Sequence, residues 1–381
     1  MTAVKLPIYL DYNATTPCDS RVFEAMRPYF TEFFGNAASS SHIFGWQARA
    51  AVDNSRKTIA EAIGATPDEI VFTSGATESD NLAIKGTAEA NAARGRHIIT
   101  AASEHKAVLD SCKHLGDTGF EITILPVDAE GFVSSDDIAA AMRNDTILVT
   151  IMHGNNEIGT IQNIAEIGAV CRGRGVIFHT DATQTIGKIP FNAVELNVDM
   201  ASLTAHKVYG PKGVGALYIR KNSNVAAQTH GGGHESGARS GTLNVPGIVG
   251  FAKAIEIAAL EMQRDIAHCR SLRDKLWNGI QSLGIETRLN GPDPITNPEK
   301  RLPGNLNVSF YGDAGELIAG NLFNVAVSAG SACTSASGGF SHVLSSLGLP
   351  GSNMTSLRFG VGRFSLEEEI DYTLDCMRSA L

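Results

Sequence analysis

The sequence predicts an α/β fold, with a mostly parallel central sheet flanked by helices in a large domain and an α+β arrangement in a smaller one. The first observation is that short β-rich runs alternate with helical stretches from about residue 70 to 220. Such alternation is typical of crossover units in a parallel sheet that is covered on both faces. The second observation is that this alternation of strand-like and helical runs ends after about residue 283.

The predicted large domain, residues 16–255, is built from successive strand and helix segments. Strands are expected at 69–73, 97–100, 146–151, 176–179 and 199–203, and helices through 81–84, 107–109 and 164–171. Ligands bind such sheets at the carboxyl ends of the strands. Because a polar cluster follows each strand, we expect the functional site at that edge; the clusters are 73–75, 103–105, 155–157, 181–184 and 204–207.

The predicted small domain comprises residues 1–15 and 256–381. A long helical stretch, about 246–283, leads into it. Its strand-like runs lie at 306–310 and 357–359, and its helical runs at 316–322 and 367–381. A Gly/Ser/Ala-rich loop at about 328–341 has neither a strand-like nor a helical pattern, and it contains Cys333.

The composition excludes several classes of protein. With 43% apolar and 19% charged residues, the 381-residue chain is expected to be globular and large enough for about two domains. A net charge of -9 gives no basic footprint for nucleic acid or anionic membranes, and no apolar run approaches the roughly 20 residues of a membrane span. The six scattered cysteines form no CxxC pair, which argues against a zinc site or a disulfide framework. Without a signal-peptide pattern, we expect a reducing cytoplasmic location.

Lys207 is the most informative single residue. It follows an apolar strand and precedes a Gly-Pro turn, so it is expected at the end of a buried strand. Burial lowers the pKa of a lysine, and the free amine is the form that attacks a carbonyl to give a Schiff base. Thr204 and His206 beside it could hold a phosphate. Taken alone, the segment also fits a lysine that extends from a strand end into solvent.

Three other strand ends carry candidate groups. The small residues from Thr73 to Ser79 open a helix whose N–H groups, with the Thr77 hydroxyl, suit a phosphate, although the pattern also fits a simple helix cap. Asp181 could pair with the ring nitrogen of a pyridinium cofactor, or cap the next helix. His105 could lie against a planar cofactor and move protons, or be structural.

The remaining motifs concern the nucleophile and the anions. Cys333 lies in a loop nearly free of bulky side chains, which suits a nucleophile that must move between sites. Arg358, flanked by apolar residues, suits a bidentate clamp for a substrate carboxylate. The two histidines of the 230–235 segment are four residues apart, but its glycines forbid the helix of a metalloprotease site. This glycine-rich loop and the following 239–242 are instead expected to approach a phosphate. No GxGxxG or GxxxxGK[ST] motif occurs, which argues against dinucleotides and nucleoside triphosphates.

Together these segments resemble the cysteine desulfurases, the pyridoxal-phosphate enzymes of the class V aminotransferase group. The resemblance runs nearly from end to end. It rests on residues 9–16, 34–37, 72–80, 155–159, 179–184, 205–213, 239–242, 331–335 and 357–359. It implies fold type I of the pyridoxal-phosphate enzymes, and the long loop around Cys333 is similar to that of the NifS/IscS-type branch.

The resemblance also implies a role for each matched residue. Those assigned to pyridoxal 5'-phosphate are Lys207 by a covalent bond, Asp181 at the ring nitrogen, Gln184 at the ring hydroxyl, His105 stacked on the ring, and Ala76, Thr77, Thr204, His206 and the partner subunit's Thr242 at the phosphate. Those assigned to the substrate are Asn13, Asn156 and Arg358. Cys333 would be the nucleophile, with Lys207 and His105 as the other catalytic residues. No metal site is expected, apart from a transient iron–sulfur ligand at Cys333.

The implied activity is removal of sulfur from L-cysteine, giving L-alanine and a Cys333 persulfide that passes to an acceptor or iron–sulfur scaffold protein. A homodimer that contacts neither membranes nor nucleic acid directly is expected. Three alternatives stay open: another fold-type-I enzyme such as an aminotransferase or selenocysteine lyase, a non-catalytic sulfur carrier, and a desulfurase dedicated to DNA or tRNA sulfur modification. The first gives Cys333 no role, and the complete cofactor set argues against the second.

Overall fold

The computed structural model describes residues 4–329, 340–349, 351 and 353–381. The strands are β1 Ile8–Tyr9, β2 Ile70–Thr73, β3 His97–Ala101, β4 Glu121–Leu125, β5 Thr146–Thr150, β6 Ile177–Asp181, β7 Met200–Thr204, β8 Gly215–Ile219, β9 Thr287–Leu289, β10 Asn305–Tyr311, β11 Val325–Ala326, β12 Ser328–Ala329 and β13 Met354–Gly360. The helices are α1 Ser20–Met26, α2 Pro28–Thr31, α3 Ile43–Ala62, α4 Ala76–Asn91, α5 Lys106–Asp117, α6 Ser135–Ala141, α7 Ile164–Arg174, α8 Val245–Gln281, α9 Asp313–Asn321, α10 His342–Ser346 and α11 Glu367–Ala380.

The central sheet has seven strands in the order β2-β8-β7-β6-β5-β3-β4. All strand pairs are parallel except those of β8, which runs antiparallel to both β2 and β7. Six of its strands, all except β4, are buried along nearly their whole length, as expected for a sheet covered on both faces. The predicted mostly parallel sheet is confirmed, while β4 and β8 were not anticipated from the sequence.

A second sheet lies in the C-terminal part of the chain. Its four strands follow the order β12-β13-β10-β9, and all neighbouring pairs are antiparallel. Side chains of β10, β13, α9, α11 and the second half of α8 share one apolar core, to which the N-terminal Ile8 and Leu10 also belong. The core therefore joins the two ends of the chain. The domain limits at residues 15/16 and 255/256 stay a prediction.

Helix α8 is 37 residues long. Its first half belongs to an apolar core beside the central sheet, and its second half belongs to the core of the C-terminal sheet. Asn244 caps it by accepting the Gly247 N–H at 3.1 Å, and Pro246 occupies its first turn, where the missing N–H costs nothing. Within the described residues, none of the helices combines the length and the apolarity needed to cross a bilayer.

Candidate active site

A cavity of about 520 Å³ opens at the carboxyl ends of β2, β3, β5, β6 and β7. Its wall brings together eleven of the residues that the sequence singled out: Asn13, Ala76, Thr77, His105, Asn156, Asp181, Gln184, Thr204, His206, Lys207 and Arg358. Thr242 is exposed and is not part of this wall. Cys333 lies outside the described residues.

Lys207 lies just beyond β7, in a short 3-10 turn that holds its amine inside the cavity. Its Nζ donates to the carbonyls of Asn13, at 2.5 Å, and Ala14, at 2.6 Å. Burial, followed by the nearby charges of Lys188 and Arg358, lowers the pKa of Lys207 to about 7. A large share of the molecules therefore carries a free amine near neutral pH, the form that attacks carbonyl groups.

Asp181 ends β6 and is 7% exposed. Its Oδ1 accepts the Thr183 N–H at 2.9 Å, whereas Oδ2 has no donor among the described residues. The hydroxyl of Thr183, which also lines the cavity, is buried and has no hydrogen-bond partner in the part of the chain that the structure describes. An ionised carboxylate in such a place requires a cationic or donor partner. A protonated heterocycle in the cavity would provide one.

The turn between β2 and α4 is a candidate anion site. Gly75 has φ +152 and precedes the first turn of α4, whose N–H groups have no acceptor within the helix. A Cβ at Gly75 would meet only the Thr204 hydroxyl, at 3.9 Å, so the space beside the turn is open. The turn is held by Glu78, which accepts the Ser74 N–H at 2.7 Å and also pairs with Arg239 at 2.6 Å.

His206 completes the anion site from the β7 side. Burial, with the charges of Lys207 and Lys212, lowers the pKa of His206 to about 4, so the ring is neutral at pH 7. The Thr15 hydroxyl lies 3.1 Å from Nδ1. When Thr15 donates this hydrogen bond, the ring carries its proton on Nε2 and can donate it to an anion.

His105 caps α5, and its Nδ1 accepts the Ala107 N–H at 3.2 Å. That bond places the proton of the neutral ring on Nε2. Burial lowers the pKa of His105, Asp181 opposes this effect, and Lys207 and His342 add to it. The imidazole is therefore neutral near pH 7, and Nε2 is the atom that can exchange a proton in the cavity.

Arg358, on β13, is buried at the edge of the cavity that the C-terminal sheet supplies. Its Nη2 donates to Asp11 at 2.8 Å and to Ser328 at 3.0 Å, and its Nη1 donates to the Asn156 carbonyl at 3.1 Å. Among the described residues, its Nε–H and the second Nη1–H have no acceptor. The guanidinium is thus held in place and keeps two donors for a further anion.

Two residues of this region had no role in the sequence interpretation. Lys188 donates to Gln184 Oε1 at 3.1 Å, and His342 donates from Nε2 to the Glu104 carbonyl at 2.9 Å, while its Nδ1 has no partner among the described residues. Lys188 lies four residues after Gln184, beyond the polar cluster 181–184 that the sequence singled out. His342 follows the Gly/Ser/Ala-rich loop, and nothing in its local sequence indicates that it faces a cavity.

The geometry agrees with comparisons to known proteins. Residues 8–373 match the family described as Aminotransferase class-V. A protein named cysteine desulfurase IscS from Salmonella paratyphi B is 54% identical over 383 aligned residues, which cover 99% of this chain and 93% of the relative. The chain belongs to the class-V aminotransferase family, and within it to the cysteine desulfurases.

Solved structures support the same assignment for this cysteine desulfurase. A NifS-like protein superposes with a TM-score of 0.88 at 40% identity, covering 98% of each chain. A structure described as SspA in complex with cysteine superposes with a TM-score of 0.82 at 37% identity, covering 94% of this chain and all of the other. The family depends on pyridoxal phosphate. Residues at the cavity of this desulfurase fit pyridoxal phosphate. The Lys207 amine, the Asp181 carboxylate oxygen that accepts from no described residue, and the free N–H groups at the start of α4 all face the same cavity.

Proposed function

We propose that this desulfurase removes sulfur from L-cysteine, giving L-alanine, and carries the sulfur as a persulfide on Cys333. The supporting observation is the meeting of Lys207, Asp181, His105 and Arg358 at one cavity of about 520 Å³. In the net step the C–S bond of the substrate breaks and an S–S bond forms on the enzyme thiol. L-cysteine and one thiol become L-alanine and one persulfide, so no external oxidant or reductant is required.

The residues proposed to hold pyridoxal phosphate are those that the family resemblance assigns to it and that line the cavity. Lys207 would bind its aldehyde carbon, Asp181 its ring nitrogen and Gln184 its ring hydroxyl, with His105 against the ring. The phosphate would lie at the start of α4, bound by Ala76, Thr77, Thr204 and His206. When bound, this cofactor withdraws electrons from the substrate Cα, which makes the C–H and C–S bonds easier to break.

Each polar side chain then has a distinct task. Arg358 would bind the substrate carboxylate through its free Nε–H, and Asn13 and Asn156 would complete the substrate site. The Lys207 amine, with a pKa of about 7, can take up and return the Cα proton near neutral pH. His105 would exchange the proton of the substrate thiol at Nε2.

The proposed role of Cys333 is supported by the residues on either side of its loop. Before the loop, Ser328 donates to Asp11 at 3.0 Å and accepts from Arg358. After it, His342 is held by the Glu104 carbonyl. The described residues on both sides of the loop therefore contact side chains or backbone groups next to the cavity.

We also propose a homodimer in which Thr242 binds the phosphate of the partner's site. Thr242 is exposed and does not line its own cavity. Four large aromatic side chains are exposed on α2, on the first turn of α3 and between these helices. They are Phe30 at 60%, Phe34 at 64%, Phe44 at 45% and Trp46 at 53% exposure. Such a concentration of exposed aromatic side chains is typical of a protein interface.

The remaining parts of the proposal concern context. We propose that the acceptor of the sulfur is an iron–sulfur scaffold or another acceptor protein, in a reducing cytoplasm where a reactive thiol stays free. We propose, too, that the large domain spans 16–255 and the small domain spans 1–15 and 256–381.

The test is a direct assay of both products. Purified protein loaded with pyridoxal phosphate is incubated with L-cysteine, with and without a thiol reductant, and alanine is quantified. Without reductant we expect close to one alanine per active site and one extra sulfur on the Cys333 peptide by mass spectrometry; with reductant we expect turnover and sulfide release. Alanine formation without any sulfur on Cys333 would contradict the proposal.

A further inference from the structure

Lys188 lies in a turn that packs closely against the segment carrying Lys207. Gly187, just before it, has φ +70, a conformation that favours glycine. A Cβ at Gly187 would lie 2.4 Å from a methyl group of Val208. The glycine thus permits the turn that carries Gln184 and Lys188 to approach the β7 end of the active site.

Lys188 is half-buried, and protein surrounds its ammonium group closely enough to desolvate it. Burial lowers the pKa of Lys188 to about 8; the Cys269 thiol opposes this effect and the Arg358 charge adds to it. Tyr12, Tyr209, Asp265 and Cys269 share with it a small cavity of about 40 Å³. Asp265 itself pairs with Arg363 at 2.7 Å. Across the described residues, no carboxylate forms an ion pair with Lys188, which is uncommon for an enclosed cation.

A continuous chain of hydrogen bonds links Lys188 to Lys207. Lys188 donates to Gln184 Oε1 at 3.1 Å, Gln184 Nε2 donates to the Asn13 carbonyl at 2.9 Å, and Lys207 donates to the same carbonyl at 2.5 Å. An ammonium group can only donate, so it fixes Oε1 of Gln184 on its own side. The amide nitrogen of Gln184 is then directed toward Asn13 and the cavity.

We propose that Lys188 is a positioning residue that orients the Gln184 amide and places a positive charge behind the Lys207 amine, favouring its free form. The proposal rests on the proposed function, in which Lys207 and Gln184 contact the cofactor. Its electrostatic part agrees with the causes of the lowered pKa of Lys207, among which the charge of Lys188 comes second after burial. A like charge close to an amine disfavours the protonated form.

Three variants separate the charge from the hydrogen bond. Lys188→Met removes both, Lys188→Gln removes the charge but keeps an amide donor for Gln184, and Lys188→Arg keeps both. The adjoining cavity of about 40 Å³ gives room for the larger guanidinium. Circular dichroism and thermal melting of each cofactor-free variant establish that it is folded.

The first measurement is the pKa of Lys207 in the cofactor-free protein. The rate of acetylation of the Lys207 peptide is followed against pH by mass spectrometry, with Lys253 on the surface of α8 as the internal reference. We expect the Lys207 pKa to rise by roughly 1 in Lys188→Met and Lys188→Gln, and to stay near the wild-type value in Lys188→Arg. An unchanged Lys207 pKa in both uncharged variants would overturn the proposal.

The second measurement is the affinity for pyridoxal phosphate at pH 9.5, where the charge of Lys188 is largely lost in the wild type. We expect Lys188→Met to bind roughly three- to tenfold more weakly than Lys188→Gln, because only Met removes the donor at position 188 and leaves Gln184 Oε1 with the longer hydrogen bond from Asn13 Nδ2, at 3.4 Å. Equal affinities of these two variants would refute the positioning role. If the wild-type protein takes up no pyridoxal phosphate on Lys207, the proposed function fails instead, while the acetylation experiment still tests the link between the two lysines.

Discussion

Arg358 Nη2 and Asp11 Oδ1 lie 2.8 Å apart, in an ion pair that joins the C-terminal sheet to the segment after β1. The pair is almost closed to solvent on the arginine side, where the side chain is 1% exposed. The ion pair, with Ser328 and the Asn156 carbonyl as further acceptors, holds the guanidinium plane fixed, and no described residue accepts from its Nε–H. The orientation of the proposed substrate clamp is therefore set by contacts that span the whole chain.

The first prediction concerns this clamp. Arg358→Lys keeps the charge but loses the planar set of donors, so one ammonium cannot serve Asp11, Ser328, Asn156 and a substrate carboxylate together. We expect KM for L-cysteine to rise about tenfold or more while cofactor absorbance stays as in the wild type. Steady-state alanine formation measures this change. An unchanged KM would show that the substrate carboxylate binds elsewhere.

The second prediction concerns pH. Burial lowers the pKa of Lys207 to about 7, so its free amine is the minor form below that pH and the major form above it. Capture of pyridoxal phosphate by the cofactor-free protein should accelerate as pH rises from 6 to 8 and level off above. Stopped-flow absorbance gives the profile. A rate that keeps rising up to the pKa of an ordinary lysine, about 10.4, would contradict a lowered pKa.

The third prediction separates Cys333 from the other cysteines. Cys333→Ser should bind cofactor and L-cysteine but release almost no alanine, because a serine hydroxyl stays protonated near neutral pH. The loss should fall on turnover rather than on substrate affinity. Cys18→Ser is the matched control, since Cys18 is the exposed thiol among the described residues. Burial raises the pKa of Cys112, Cys171 and Cys269 to about 12, which leaves them unreactive. Near-normal alanine production by Cys333→Ser would exclude it as the nucleophile.

The fourth prediction tests whether Thr242 acts across a dimer interface. Thr242→Ala should weaken cofactor binding roughly tenfold or more, because a hydroxyl bound to a phosphate is lost, and Lys207→Ala should abolish activity. When the two inactive or weakened proteins are mixed at limiting cofactor and allowed to exchange subunits, each mixed dimer contains one site with both native residues. We expect up to half of the wild-type activity per mixed dimer. No recovery, with subunit exchange verified by native mass spectrometry, would place Thr242 in its own subunit's site.

Local sequence was sufficient for the strands whose carboxyl ends border the cavity, because the relevant patterns are short. Predicted strands at 97–100, 146–151 and 199–203 correspond closely to β3, β5 and β7. A residue just after a parallel strand lies at the same sheet edge as the residues after its neighbours. Asp181, His105 and Lys207 could therefore be expected together before any tertiary contact was known. Strand β8 was missed because it follows β7 without an intervening α-helix. It pairs antiparallel with β2 and β7, so the strand–helix alternation does not predict it.

The sequence by itself determined the fold class, the site edge and the residue types available for the chemistry, since these depend on hydrophobic period and on strand ends. Only the tertiary structure decided the contacts between distant segments: Asn13 with Gln184 across 171 positions, Asp11 with Arg358 across 347, and Glu104 with His342 across 238. Nothing in a local window specifies such partners, because they are set by how the ends of the chain pack into one core. Lys188 is the clearest case. Its sequence neighbours describe a turn, whereas its position behind Lys207 depends on the close approach at Gly187.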